Sequence, residues 1–269
     1  MGLSHSGSPI NFKDMSLKSI ADSILFYLSV PKCVSCKERL KRHERALCDP
    51  CMTEYREIKK RNCSICAKTL DFCTCPNKYL DTHFVHKLIK VYRYVQRDNL
   101  PSNNLIYSLK RDNRNDVLTL LTEEISSAID NSLKIDENTV FTNVPRRKKE
   151  AKRYGLDHAA LLSKSLAKHY SAKYYQPLIT KSKRAQKKTI GDDRIKNAKF
   201  KIKARAKALE GKTVIIVDDI VTTGASMGAC AMLLHALGAK IIIGAVVSIA
   251  YKDRYTPFDT EDRFIKKRC

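Results

Sequence analysis

Residues 214–226 read Val214-Ile215-Ile216-Val217-Asp218-Asp219-Ile220-Val221-Thr222-Thr223-Gly224-Ala225-Ser226. The unbroken β-branched run predicts a buried strand over Thr213–Val217, of the kind found inside a parallel sheet covered on both faces. Two carboxylates end it, and a hydroxyl-rich turn then opens an apolar stretch, Ala225 to Leu237, that predicts a helix. In parallel sheets ligands sit at the carboxyl ends of the strands. Asp218 and Asp219, leaving the sheet together, can there accept hydrogen bonds from a ribose diol or hold Mg²⁺ through water. Thr222, Thr223, Gly224, Ala225 and Ser226 place backbone N–H groups at a helix start, where the dipole favours an anion and the glycine lets a phosphate come close. A sugar phosphate suits both halves. The plainer alternative is a strand end with helix-capping Asp, Thr and Ser, each of them common singly.

Working outward, Leu88 to Val95 alternates as a strand, Leu105 to Ile129 reads as a helix, and Val140 to Val144 is a short strand closed by Pro145. Gly155 to Tyr170 reads as a helix, and Lys240 to Val247 is a second apolar run. Strand–helix alternation in units of this size predicts an α/β fold with a parallel sheet. Cysteine density collapses after Pro76, which places a boundary near residue 80. The expected organisation is a leader with an amphipathic helix over 1–30, a cysteine-rich module over 31–80, and the sheet domain over 81–269. In the first segment Leu17, Ile20, Ile24, Leu25 and Leu28 form an apolar stripe ended by Pro31, suited to packing on the cysteine module. Residues 1–13 read as a loose leader, either non-native or an upstream start preceding Met15.

Eight of the ten cysteines fall between Cys33 and Cys75, as Cys33-x-x-Cys36, Cys48-x-x-Cys51, Cys63-x-x-Cys66 and Cys73-x-Cys75. Such pairs place two thiolates on one metal from a tight turn, so the set suffices for one or two structural zinc ions. A disulfide framework is the alternative and would need an oxidising compartment, for which no export signal is visible. Consecutive pairing of the knuckles is the simpler arrangement, and interleaved pairing meets the same ligand count. Cys73-x-Cys75 is tighter than the usual knuckle, which makes the second site the less regular one. His43 and His158 are expected to be packed or surface residues rather than ligands or catalysts, and Cys230 to lie on a helix packing face.

Lys and Arg number 51 against 28 Asp and Glu, a formal charge of +23 over 269 residues. That favours a polyanionic partner without naming it. No run of about 18 apolar residues occurs, which excludes a transmembrane helix. Arg146, Arg147, Lys148, Lys149, Lys152 and Arg153 follow a strand end against the single acid Glu150, where they can meet a pyrophosphate or a nucleic-acid backbone. Residues 181–212 carry thirteen basic and three acidic side chains and read as a mobile loop, able to close over a site or to touch DNA, or else as a solvated linker.

The 214–226 string resembles the signature with which type I phosphoribosyltransferases hold 5-phosphoribosyl-1-pyrophosphate (PRPP). Cysteine knuckles followed by such a domain resemble the ComF family of competence-associated proteins over roughly residues 31–250. Val144-Pro145-Arg146-Arg147 and Tyr154-Gly155-Leu156-Asp157-His158 stand where that family has a Val-Pro strand end with a basic stretch and a Gly-Phe-Asn-Gln-like string; Leu156, Asp157 and His158 depart from it. Arg184-Ala-Gln186 and Arg194-x-x-Asn197 are similar to the stretch between its two strands. The resemblance implies a type I phosphoribosyltransferase-like sheet with helices on both faces, preceded by a small zinc-binding module. It also implies Mg-PRPP bound by Asp218, Asp219, Thr222–Ser226, Arg146 and Arg147, and a role in DNA uptake during natural transformation. The implied partners are single-stranded DNA and other competence proteins such as a DNA-uptake helicase, at a cytoplasmic location associated with the membrane uptake machinery.

Three function classes follow: a PRPP-binding accessory of DNA uptake, an active phosphoribosyltransferase with an unidentified acceptor, and a non-catalytic PRPP-sensing adaptor. No general base stands beside the signature and no hood segment marks a purine or pyrimidine acceptor. The catalytic residues are therefore unassigned, and the accessory reading rests on the family resemblance.

Overall fold

The computed structural model describes residues 31–95, 99–146, 156–181 and 200–250. The amphipathic stripe over 17–28, Arg147 to Arg153, Arg184, Gln186, Arg194 and Asn197 lie outside these residues.

The centre is a five-stranded parallel sheet in the order β1-β7-β6-β2-β3. Its strands are β1 (Lys87–Arg93), β2 (Thr139–Asn143), β3 (Lys173–Tyr174), β6 (Thr213–Val221) and β7 (Ile241–Ile249). β4 (Leu178–Thr180) and β5 (Phe200–Ile202) form a separate antiparallel ribbon. Among the described residues six α-helices accompany them: α1 (Asp49–Lys59), α2 (Lys78–Asp81), α3 (Pro101–Arg111), α4 (Asn115–Asp130), α5 (His158–His169) and α6 (Ala225–Ala236).

Four expectations change. The stretch read as one helix from Leu105 to Ile129 is two, because the chain turns at Asn113, whose φ of 49° is left-handed, before α4 restarts at Asn115. The helix expected from Gly155 starts at His158, where the Asp157 carboxylate caps it by accepting from the Ala160 N–H at 3.1 Å. The strand expected to end at Val217 runs on to Val221, with β7 pairing through Val221↔Ile249. Apolar periodicity cannot see that last extension, since carboxylates usually mark a strand's end. The 181–212 segment, read as a loop, holds β5 within it and returns through Lys203, whose N–H donates to Pro177.

One face of the sheet packs Ile89, Val91, Phe141, Ile215, Val217 and Ala245 against α3, α4 and α5. The other packs Leu88, Val214, Ile216, Ile242 and Val246 against α6 and the ribbon residues Leu178 and Phe200. Both faces are thus covered, as the continuous apolar runs require.

The cysteine-rich segment wraps the β1 edge of this sheet. Cys33, Cys48, Cys51 and Tyr55 join the α3/α4 face, whereas Cys63, Leu70, Cys73 and Leu80 join the α6 face. The Leu88 N–H donates to the Thr74 carbonyl at 2.9 Å, so the segment also shields an edge strand. Lys90 of β1 is buried, and its ammonium satisfies its three protons on the carbonyls of Cys75 (2.8 Å), Leu88 (3.2 Å) and Cys73 (3.3 Å). On the other face Tyr55 meets Tyr92 edge-on at 5.7 Å, and the Ala46 N–H donates to Asp116 of α4.

The two knuckles are copies at an offset of thirty residues. The Cys33 N–H bonds to the Glu38 carbonyl and that of Cys63 to Lys68, both at 2.8 Å, and bridges Lys32↔Arg39 and Asn62↔Thr69 repeat the same hairpin. Left-handed Lys37 and Ala67 stand one residue past the second cysteine of each.

Behind the second knuckle, α2 leans on the start of α6. A Cβ added at Gly224 would lie 2.7 Å from the Leu80 Cγ, and Gly224 has φ +83°. Any side chain there meets both steric and backbone strain. Gly224→Ala should lower unfolding free energy by about 1–3 kcal/mol. In a double-mutant cycle with Leu80→Ala, denaturant melts should give a loss smaller than the sum of the single losses by at least ~0.5 kcal/mol; strict additivity would contradict this packing.

Candidate functional site

The amino end of α6 stands at the carboxyl end of β6. Gly224 is its N-cap and carries no side-chain acceptor; the Ala225 N–H has only a long bond, 3.3 Å, to Thr223 Oγ1. Thr222, Thr223 and Ala225 are exposed, Ser226 is half-buried and Gly224 is buried under Leu80. The turn is therefore an open set of amides and hydroxyls on a helix dipole, an arrangement that can accept an anion. Asn77, which caps α2 by accepting from Leu80, also donates through Nδ2 to the Thr223 carbonyl at 3.3 Å. The chain leaving the second cysteine cluster thereby holds the turn from behind.

Asp218 and Asp219 are placed differently from expectation. Both lie within the strand, and they have different surroundings instead of leaving the sheet together. Asp219 is buried and its Oδ2 pairs with Arg146 Nη2 at 2.6 Å and Lys110 Nζ at 3.0 Å, while Oδ1 accepts from the Ile220 N–H at 2.8 Å. Burial would raise its pKa, but the charges of Lys110 and Arg146 outweigh that and hold it below the usual carboxylate range. Asp218 is half-buried, and its Oδ1 accepts the Asp219 N–H at 2.9 Å. Burial and the neighbouring Asp219 charge push its carboxyl well above the usual range. One member of the pair thus stays ionised and the other holds its proton more readily.

Lys110, in the last turn of α3, escaped the sequence reading because it lies 109 residues upstream of Asp219 on an ordinary amphipathic helix. Arg146 lies beside the carboxyl end of β6, on Asp219. It also donates through Nη1 to Nδ1 of His158 at 3.3 Å. His158 is fully buried at the start of α5, and burial followed by the Arg146 charge lowers its pKa, so it is the neutral imidazole that accepts. Expected only to be packed, it is a packed residue that also touches a site cation. Cys230 is buried in α6, as expected. His43 lies exposed with Glu44 and Asp49, whose carboxylates bind the Lys41 and Asp49 amides and the Lys41 ammonium.

The eight cysteines gather as Cys33, Cys36, Cys48 and Cys51, and as Cys63, Cys66, Cys73 and Cys75, with all ligand atoms within each group inside 4.8 Å of one another. Tetrahedral zinc with Zn–S bonds near ~2.3 Å sets sulfurs roughly 3.8 Å apart, so both groups fit the ion and the pairing is consecutive. All the described cysteines are free of disulfides. The Ser35 and Ile65 N–H groups each donate to the first sulfur of their knuckle at 3.4 Å. Burial raises Cys33, yet amides of Cys48, Cys36 and Ser35 bring it down to about 7, and the Lys68 amide brings Cys66 to about 7. Burial pushes Cys73 up to about 12 despite Lys90, and it raises Cys48, Cys51 and Cys75. Four thiols so close cannot all ionise alone; a dication would make it possible, with release of protons. The less regular Cys73-x-Cys75 spacing closes its cluster as well as the others do.

A family model described as the phosphoribosyl transferase domain matches residues 157–268. The sheet domain has a phosphoribosyltransferase-type fold. Solved structures found similar include an adenine phosphoribosyltransferase from Saccharomyces cerevisiae, 19% identical over 65% of this chain and 89% of that one, with a TM-score of 0.35. An adenine phosphoribosyltransferase from Thermoanaerobacter pseudethanolicus is 18% identical over 51% and 81%, with a TM-score of 0.34. A hypoxanthine phosphoribosyltransferase from Staphylococcus aureus is 14% identical over 58% and 70%, with a TM-score of 0.31. No curated protein matches the chain. Among the described residues no helix is long and apolar enough to cross a membrane.

Elemental analysis should find two zinc ions per chain. Replacing Cys33, Cys36, Cys48 and Cys51 together by Ser should leave one. Interleaved pairing would instead leave none, and an unmutated stoichiometry of zero would overturn the metal assignment.

Proposed function

We propose that the chain binds Mg-PRPP at the carboxyl end of β6 and serves as an accessory protein of DNA uptake in natural transformation, with single-stranded DNA held on its basic surfaces. The observation that carries the PRPP reading is the open amino end of α6 beside the paired Asp218 and Asp219. The amides and hydroxyls of Thr222–Ser226 would seat the 5-phosphate. Asp218 and Asp219 would take the ribose diol as acceptors, and Arg146, with Arg147 next to it, would face the diphosphate. Mg²⁺ arriving on PRPP would neutralise part of that diphosphate, and the carboxylate oxygens suit a hard cation that keeps its waters.

The DNA-uptake reading rests on the resemblance to cysteine-knuckle proteins of competence and on the +23 charge. The six basic residues of 146–153 and the thirteen of 181–212, with Lys201 on β5 exposed, are the stretches of sequence that support it. In this reading residues 31–80 form an accessory zinc module on a domain spanning 81–269, with competence proteins such as a DNA-uptake helicase as partners in the cytoplasm.

The purified protein should bind Mg-PRPP without consuming it, whether or not single-stranded DNA is present; turnover would instead select the transferase class. Replacing Lys187, Lys188, Lys199 and Lys201 by Gln should flatten the salt dependence of DNA binding, by roughly 0.7 in log–log slope for each phosphate no longer neutralised. The same replacement should leave PRPP affinity unchanged. Absence of DNA binding by the unmutated protein near physiological salt would remove the nucleic-acid role.

A further inference from the structure

Asp219 carries more cation than it needs. Arg146 alone, at 2.6 Å, neutralises it, yet Lys110 reaches the same Oδ2 at 3.0 Å from another element. Two like charges on one oxygen repel, and holding the second in a partly buried place costs free energy unless another anion shares it. The neighbouring carboxyls are engaged elsewhere: Asp218 Oδ1 accepts the Asp219 N–H at 2.9 Å and Asp157 Oδ1 accepts the Ala160 N–H at 3.1 Å, whereas both cations sit on the one Asp219 oxygen. Within the trio of Lys110, Arg146 and Asp219, two cations thus face a single carboxylate.

The cations can reach a ligand. Asp219 is 7% exposed, but Arg146 is 17% and Lys110 27% exposed, so the surplus charge opens outward from a buried anchor. An ammonium on a four-carbon stem can swing from the carboxylate to an incoming anion without moving the backbone. The placement of Lys110 is also built. α3 packs its Leu105, Ile106 and Leu109 into the core, and Asn104 donates to Ser35 Oγ at 3.3 Å, so the first cysteine knuckle fixes the helix that carries it.

We propose that Lys110 is a specificity-determining contact that takes the diphosphate of PRPP together with Arg146, and so separates PRPP from ribose 5-phosphate. This rests on the PRPP reading of the site. In the ligand-free protein Lys110 and Arg146 are parked on Asp219. The diphosphate draws them off, which frees the Asp219 carboxylate to accept from the ribose diol. Ribose 5-phosphate carries the same 5-phosphate for the α6 amides but lacks the group that would release Asp219.

The test is calorimetry of the full-length protein with Mg-PRPP, Mg-pyrophosphate and ribose 5-phosphate, for the unmutated chain, Lys110→Gln and Lys110→Arg. Lys110→Gln should weaken PRPP and pyrophosphate by about tenfold to a hundredfold, the range of a charge-assisted hydrogen bond. Ribose 5-phosphate should change by less than about twofold, and Lys110→Arg should retain most of the PRPP affinity. Equal losses for PRPP and ribose 5-phosphate would mean that Lys110 only supports Asp219, and an unchanged PRPP affinity would remove it from the site; either overturns the proposal while the PRPP reading stands. An unmutated protein that binds no PRPP overturns both. Acetylation of the unmutated protein followed by mass spectrometry reads the same claim without a variant. PRPP should protect Lys110 and ribose 5-phosphate should not; equal protection, or none, contradicts it.

Discussion

β6 is hydrogen-bonded on both sides, to β2 and to β7, and it stays in register with β7 through the two aspartates to Val221. A carboxylate carried that far inside a paired strand is taken out of water, and it persists as a charge only if cations follow it. The rest of the site answers that constraint. β2 ends at Asn143 and delivers Arg146 two residues beyond Val144, whose N–H bonds to the Val217 carbonyl at 3.2 Å. α3 brings Lys110 from a different part of the chain. Only then does the strand give way to the turn and to α6, so the open amides of the turn, the two carboxyls and the cations share one end of the sheet.

The cysteine-rich segment fits this account as a brace. Its two clusters lie on opposite faces of the sheet at the β1 edge, and each supports one wall of the site. The first holds α3 through Ser35 and Asn104, and the second holds the Thr223–Gly224 turn through Asn77 and Leu80. Neither cluster has a core of its own; their buried cysteines pack among the residues of the sheet's two faces. Metal bound by such clusters contributes folding energy to whatever packs on them. Here that is the framework of the α6 amino end and of the helix that carries Lys110.

What was legible in the sequence is what depends on local pattern. The buried runs of β6 and β7, the helix opening at Ala225 and the cysteine spacing each carry their own signal within a dozen residues. The thirty-residue copy of the knuckle was also present, as Cys33-x-x-Cys36 and Cys63-x-x-Cys66, but the equivalence shows in the left-handed Lys37 and Ala67 and not in residue identity. Contacts over long separations were not legible. Lys110 looks like any basic residue closing an amphipathic helix, and His158 looks like a core histidine, which it also is. The extension of β6 past Val217 was hidden for a physical reason: polar residues ending an apolar run are the normal sign that a strand has reached water, and here they are paired inside it.

The central claim is that the amino end of α6 is a seat for the 5-phosphate of PRPP. It is tested most directly by following backbone amide resonances in the nitrogen-15-labelled protein during titration with Mg-PRPP. The account predicts saturable shifts that are largest at Thr223, Gly224, Ala225 and Ser226, with smaller changes at Asn77 and Leu80 behind them. Saturable shifts confined to the cysteine knuckles or the β4–β5 ribbon, with Thr222 to Ser226 unmoved, would contradict it.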